Sequence, residues 1–228
     1  MDDTEYHGLK ILAVKQFFIT VIFLCFAVLA NAHTNNIALE GKPMADVFSY
    51  YLTLGYRHIL PDGFDHILFV VSLYLLSPKL KNVLWQATAF TIAHTITLIL
   101  SMKGLIVAPP AIVEPIISLS IAFVAIENLI TQRLKAGRLA IVFLFGLVHG
   151  LGFASALNEL GLPRDKFYSS LISFNVGVEL GQISVILFCW LAFGLWFSDK
   201  TWYRARIVQP LSVLIGLIAI FWTIQRVI

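Results

Sequence analysis

Charge is what this sequence has least of: 13% of its 228 residues are Asp, Glu, Lys or Arg, about half the roughly 25% that soluble domains carry. That shortage excludes water as the solvent of most of the chain. Cysteine is equally scarce, with Cys25 and Cys189 alone, which excludes a disulfide framework and a thiolate metal cluster. No basic stripe interleaved with aromatics is present. The net charge of +3 therefore belongs to loops that orient a membrane protein, and nucleic acid is excluded as a partner. Solenoid repeats and low-complexity tracts are missing as well. What is present is apolar surface, 59% of all residues. At roughly 20 residues per spanning helix plus short loops, the length accommodates about six spans and leaves no room for a separate soluble domain. The expected fold is all-α, a polytopic membrane helix bundle.

The first 32 residues have the form of a signal peptide. Lys10 and Lys15 precede an apolar run from Phe17 to Ala30, and Ala30-Asn31-Ala32 is a small-x-small cleavage site. The alternative is an uncleaved signal anchor. Cleavage after Ala32 would make His33 the first residue, where amine and imidazole together could chelate a metal. Residues 33–228 are then a single transmembrane domain. Pro43 to Leu60 reads as an amphipathic stretch at the interface, followed by spans near 63–77, 83–101, 111–131, 138–157, 168–197 and 207–225. Loops 78–82 (Lys79, Lys81), 132–138 (Arg133, Lys135, Arg138) and 198–206 (Lys200, Arg204, Arg206) are basic. They alternate with sparser loops: 102–110 has only Lys103, and in 158–167 Arg164 and Lys166 face Glu159 and Asp165. The positive-inside rule puts the basic set in the cytoplasm of a bacterial inner membrane and the mature amino terminus in the periplasm.

Against this background the ionisable residues inside the apolar runs stand out. Each costs about 2.5–3.5 kcal/mol at mid-membrane on insertion scales, so such residues are rare and face a bundle interior. The first span opens with Asp65-His66, preceded by His58. The second carries His94 on a polar stripe with Thr91, Thr97 and Ser101. The third has Glu114 near its outer end, one turn above Ser118, and Glu127-Asn128 near its inner end. In the fourth, His149 sits among Gly146, Gly150 and Gly152, where small residues let a neighbouring backbone approach. In the fifth, Asn175, Glu179 and Gln182 share one face. Combined with the orientation, this places Asp65, His66, His94 and His149 in the outer half of the membrane, Glu179 near the middle and Glu127 toward the cytoplasm.

Imidazoles with one or two carboxylates form a nitrogen and oxygen ligand set suited to zinc, nickel, cobalt, iron or manganese, and the absence of soft ligands argues against copper(I). Glu114 reads equally well as a helix amino-terminal carboxylate favoured by the dipole, with Pro115 in the first turn. Glu127 and Asn128 read either as a hydrogen-bonded pair or as an inner relay, and Asn175 and Gln182 as interhelical bonds or support for the ligands.

These residues carry a resemblance. His58 to Asp65-His66, Phe90-Thr-Ile-Ala-His94-Thr, Val113-Glu114 followed by Ser118-Leu-Ser120, Phe145-Gly-Leu-Val-His149-Gly150 and Phe174-Asn175-Val-Gly-Val-Glu179 resemble, in order and on successive spans, the HupE/UreJ family of hydrogenase and urease accessory membrane proteins. The resemblance implies a secondary permease for nickel or cobalt that serves metalloenzyme maturation proteins. Two departures mark the second, less characterised branch of that family. Six residues separate His58 from Asp65 where the permease pattern has five, and Phe145 and Gly152 stand where it has a further histidine and a glutamate.

Two functions remain open at this point. One is an inner-membrane transporter for a divalent transition metal ion, nickel, cobalt or zinc, captured by His58, Asp65, His66, His94 and His149 and passed inward by Glu179 and Glu127. The other is an intramembrane metal-dependent hydrolase in which the same cluster holds zinc and Glu179 or Asp65 is the general base. A non-catalytic partner of a metalloenzyme assembly complex is a third.

Overall fold

Proline and glycine, not charge, divide the chain into helices. In a computed structural model, which describes Leu39 and residues 41–228 apart from 133, 135, 136 and 161, seven helices follow one another with no strand among the described residues. The expected signal peptide 1–32, His33, Arg133 and Lys135 lie outside the described residues, as do the side chains of Glu159 and Arg164. Helix α1 (Met44–Ile59) starts behind Pro43, and α2 (Phe64–Leu76) starts behind Gly63. Next come α3 (Leu80–Met102) and α4 (Pro110–Ile130), the latter with proline in its first turn, where the missing N–H costs nothing. Helix α5 (Arg138–Leu160), α6 (Phe167–Phe197) and α7 (Arg204–Val227) complete the bundle. Helix α6 ends through a π-helical turn at Trp190–Gly194, and α7 begins with one at Arg204–Val208.

Among the described residues four helices, α3, α4, α6 and α7, are long and apolar enough to cross a membrane. Helix α5 is apolar over Arg138–Ala154, and α1 and α2 meet at a bend of 67°. The bent pair is a broken span that passes from one face to the other. Along α1, Ser173 donates to the Phe48 carbonyl at 2.5 Å and Tyr56 to Ser184 at 3.3 Å. The α6 partners thus advance in the same direction as α1. Beyond the bend, Tyr74 of α2 packs against Phe193 of α6, ring centroids 6.1 Å apart, so α2 continues the same course.

This differs from the sequence expectation that Pro43–Leu60 lies at the interface and that the first span runs near 63–77. The buried face of α1 is Val47, Tyr51, Gly55 and Ile59. Close approach makes the packing possible: a Cβ at Gly177 would collide with the Leu52 carbonyl oxygen of α1.

The remaining passes alternate. Helices α3 and α5 run side by side in the same sense, with Gly146 against Phe90 and Gly150 against His94. Helices α4 and α7 run oppositely, joined by Arg226 to Glu114 and Ser118 at one end and by Arg204 to the Asn128 and Leu129 carbonyls at the other. Helix α2 takes the centre, with Phe69, Val70, Leu73, Tyr74 and Leu75 all buried. Outward-facing apolar residues such as Ile116, Leu119, Phe123 and Ile126 on α4 are exposed, as lipid-facing positions require.

Candidate metal centre

The break between α1 and α2 has a chemical consequence: it ends one helix at His58 and starts the next with Asp65 and His66, so that three side chains converge where a continuous helix would have spread them. Backbone that leaves regular helix at membrane depth is tolerated where it is buried in protein or lines a cavity. Here it does both.

His58, His66 and His94 each offer a ring nitrogen, and those atoms lie within 4.8 Å of one another. Their ring centroids are 4.6 Å apart for His58 and His66, 5.8 Å for His58 and His94, and 6.0 Å for His66 and His94. His149 adds a fourth ring 4.9 Å from His66. His66, His94 and His149 are 3%, 0% and 1% exposed. Gly150 makes this convergence possible, because a Cβ there would collide with the His94 carbonyl and the Thr97 hydroxyl oxygen. Thr97 fixes the same contact by donating to the Leu147 carbonyl at 2.7 Å.

Each of the four histidines has a buried ring nitrogen without a hydrogen bond. Nε2 of His58, Nε2 of His66, both nitrogens of His94 and Nδ1 of His149 are buried and unpaired. Buried polar atoms are normally satisfied, and an orphan costs about 1–3 kcal/mol. Five such atoms in one locality fit a ligand set for a cation. The opposite ring nitrogens are held. Asp65 Oδ1 lies 3.1 Å from Nδ1 of His66, and Ser120 Oγ lies 3.0 Å from Nε2 of His149. A carboxylate or hydroxyl on the far nitrogen is the arrangement that orients a ligating imidazole. A common ion at ~2.1 Å from each of three nitrogens in tetrahedral geometry sets their mutual separations at ~3.4 Å, so a pair at the 4.8 Å limit has to close by about 1.4 Å. Phe69, Phe90, Phe153 and Phe174 wall the cluster, Phe153 with its ring centroid 3.9 Å from that of His58.

A cavity of about 230 Å³ opens on this group, lined by His58, Asp65, His66, Glu114, His149 and Arg226. Glu114 does not cap α4: the capping position is Pro109, without a side-chain bond. Sequence reasoning missed Arg226, which donates to the Glu114 carbonyl at 3.0 Å and to Ser118 Oγ at 2.6 Å. Its signal was an arginine at the sparsely charged end of the last span, against the charge bias of the loops.

Other candidates stand apart. Glu179 is outside the ligand group and is bonded by two hydroxyls of α3, Thr88 at 2.7 Å and Thr91 at 2.5 Å. Gln182 donates to Thr91 at 3.1 Å and leaves its own buried Oε1 unpaired. Asn175 bonds the Leu171 carbonyl of its own helix at 2.8 Å. Glu127 is paired with Arg138 at 2.7 Å, and Arg138 also donates to Gln86 at 2.9 Å. Asn128 bonds the Ser72 carbonyl at 2.8 Å and Ser212 at 3.4 Å, which ties α4 to α2 and α7 and leaves Glu127 to Arg138.

Helices that cross a membrane several times around a buried histidine cluster at a broken span define a multi-pass membrane protein with a candidate cation site. The chain belongs to the HupE/UreJ family, whose model, described as HupE / UreJ protein, matches residues 17–226. No curated protein and no solved structure matches the chain.

Proposed function

We propose that this protein is an inner-membrane transporter for a divalent transition metal ion, nickel or cobalt in first place and zinc as the alternative. The observation that carries the reading is the set of unpaired buried nitrogens on His58, His66 and His94, which meet from three helices within 4.8 Å. Lys79, Lys81, Lys200, Arg204 and Arg206 lie at the end of the bundle where α3 and α7 begin, and the positive-inside rule makes that end cytoplasmic. The cavity with Glu114 and Arg226 then faces the periplasm, and so does the start of α1.

In this reading the ion arrives through the cavity and exchanges water for imidazole nitrogen. Asp65 accepts the Nδ1 proton of His66 and thereby turns the Nε2 lone pair toward the ion, while Ser120 leaves Nδ1 of His149 free for the same purpose. Neutral imidazoles with one nearby carboxylate bind a divalent ion without trapping it, as passage requires. The next polar station inward is Glu179 with the Thr88 and Thr91 hydroxyls. Glu127 is engaged by Arg138, which supports a holding role for it. Metalloenzyme maturation proteins on the cytoplasmic side are the expected recipients.

The test is uptake of radiolabelled nickel and cobalt into proteoliposomes containing the purified chain. Uptake abolished by His94→Ala is the expected result. Absence of uptake together with one tightly retained metal atom per chain would reject transport and favour the metallohydrolase, with Asp65 the carboxylate in reach as base.

A further inference from the structure

The cavity contains a group that a site for a bare cation should avoid. Arg226 carries a permanent positive charge, yet its side chain lines the same cavity as His58, His66 and His149. It is held in place at the end of the bundle: Nη1 donates to the Glu114 carbonyl and Ser118 Oγ, and the guanidinium carbon sits 5.7 Å from the Trp222 ring centroid. Among the described residues no carboxylate oxygen lies within 4.0 Å of it. The nearby carboxyl groups are otherwise placed. Asp65 is committed to His66, while Glu114 offers Arg226 its backbone carbonyl and is itself part of the cavity lining. A guanidinium fork with free donors at the wall of a cavity is suited to a carboxylate arriving from outside.

Size points the same way. A volume of about 230 Å³ exceeds what an ion with a few residual waters needs, since each water takes roughly 30 Å³. The carboxyl groups of Asp65 and Glu114 line the same space and offset part of the repulsion between Arg226 and an arriving cation.

We infer that the ion enters as a complex with a small organic carboxylate: His58, His66 and His149 face the metal, and Arg226 seats the carboxylate. This rests on the transport reading and names its substrate class.

The test uses the full chain in detergent with nickel(II), presented either with ¹⁴C-citrate or in a weakly coordinating buffer free of carboxylates. The expected result is nickel-dependent retention of ¹⁴C-citrate near one per chain, with nickel–citrate preferred over nickel alone by about 10- to 100-fold, the scale of a charged hydrogen-bonded pair. In Arg226→Gln that preference should shrink to within about twofold, and Arg226→Lys, which keeps charge without the fork, should fall between. If Arg226→Gln does not purify as a folded species, Arg226→Lys decides: an undiminished preference overturns the inference. Equal binding of nickel with and without citrate, or a preference unchanged in Arg226→Gln, also overturns it and leaves the transport reading standing. Absence of nickel binding in any form defeats the transport reading itself.

Discussion

Asp65 holds His66 by two contacts, its Oδ1 accepting from the His66 backbone N–H at 2.9 Å and lying 3.1 Å from the ring Nδ1. A carboxylate can only accept, so Nδ1 carries the proton and Nε2 is left with its lone pair toward His58 and His94. The break between α1 and α2 therefore fixes a tautomer as well as a position. Asp65→Asn keeps the shape but lets the ring choose either tautomer. Nickel affinity should fall about 10- to 100-fold, the usual cost of losing the group behind a ligating histidine. A titration against a competing chelator measures it; unchanged affinity would remove Asp65 from the site.

His94 separates function from stability. Both of its ring nitrogens are buried without partners, and the residue is 0% exposed. An apolar residue of similar volume leaves no orphan behind, and removing one buried unsatisfied group relieves about 1–3 kcal/mol. His94→Leu should thus abolish metal binding while thermal unfolding in detergent stays level or moves up. A fall in melting temperature of many degrees would mean that the imidazole serves packing.

Much of this was legible in the residues. Apolar runs interrupted by basic loops gave the all-helical bundle, because lipid leaves backbone groups few alternatives to a helix. His66, His94 and His149 were readable as a group, since polar cost at membrane depth marks each of them and loop charge sets their relative depth. Helix α1 was not legible as part of a span. Its Ser49, Arg57 and His58 lower the hydropathy, and only the glycine packing of α6 against it reveals that the helix belongs to the bundle. Glu179 and Glu127 looked alike as buried carboxylates. Their partners distinguish them, two threonine hydroxyls from α3 for one and an arginine on α5 for the other, and pairings across 88 and 11 residues are not written in local pattern. Arg226 was hidden by its place at the end of the last helix, where a lone arginine ordinarily reports solvent.

Two glycines should respond in opposite ways to the same substitution. A Cβ at Gly150 would strike the His94 carbonyl, whereas at Gly216 it would meet only the Ala125 Cβ at 3.7 Å, an ordinary contact. Gly150→Ala must push α5 from α3 and take His149 and His94 out of register. A loss of about 1–3 kcal/mol is expected, as for other overpacked interiors, together with weaker nickel binding. Gly216→Ala should be neutral or stabilising by about 0.5–1 kcal/mol through reduced backbone freedom of the unfolded chain. Unfolding in detergent and nickel titration of both variants check the contrast. Equal behaviour would show that the α3 and α5 contact is not the constraint that aligns the histidines.

Glu127 and Arg138 allow a structural role to be told from a place on the ion path. Their side chains are 12% and 2% exposed, so removing one partner strands a charge away from water. Glu127→Leu alone should cost about 3–5 kcal/mol, the range for breaking a buried pair. Replacing both, with Glu127→Leu and Arg138→Met, removes the two charges together and should recover most of that loss. The recovery should fall short by about 1 kcal/mol, because Gln86 Oε1 loses the Arg138 Nε donor it accepts from at 2.9 Å. The uptake assay then separates the roles. If Glu127 only ties α4 to α5, the stable double variant transports nickel within a few-fold of the unaltered chain. If ions pass over Glu127, the double variant folds and transports nothing, and the inward route must be redrawn through it instead of ending its polar stations at Glu179.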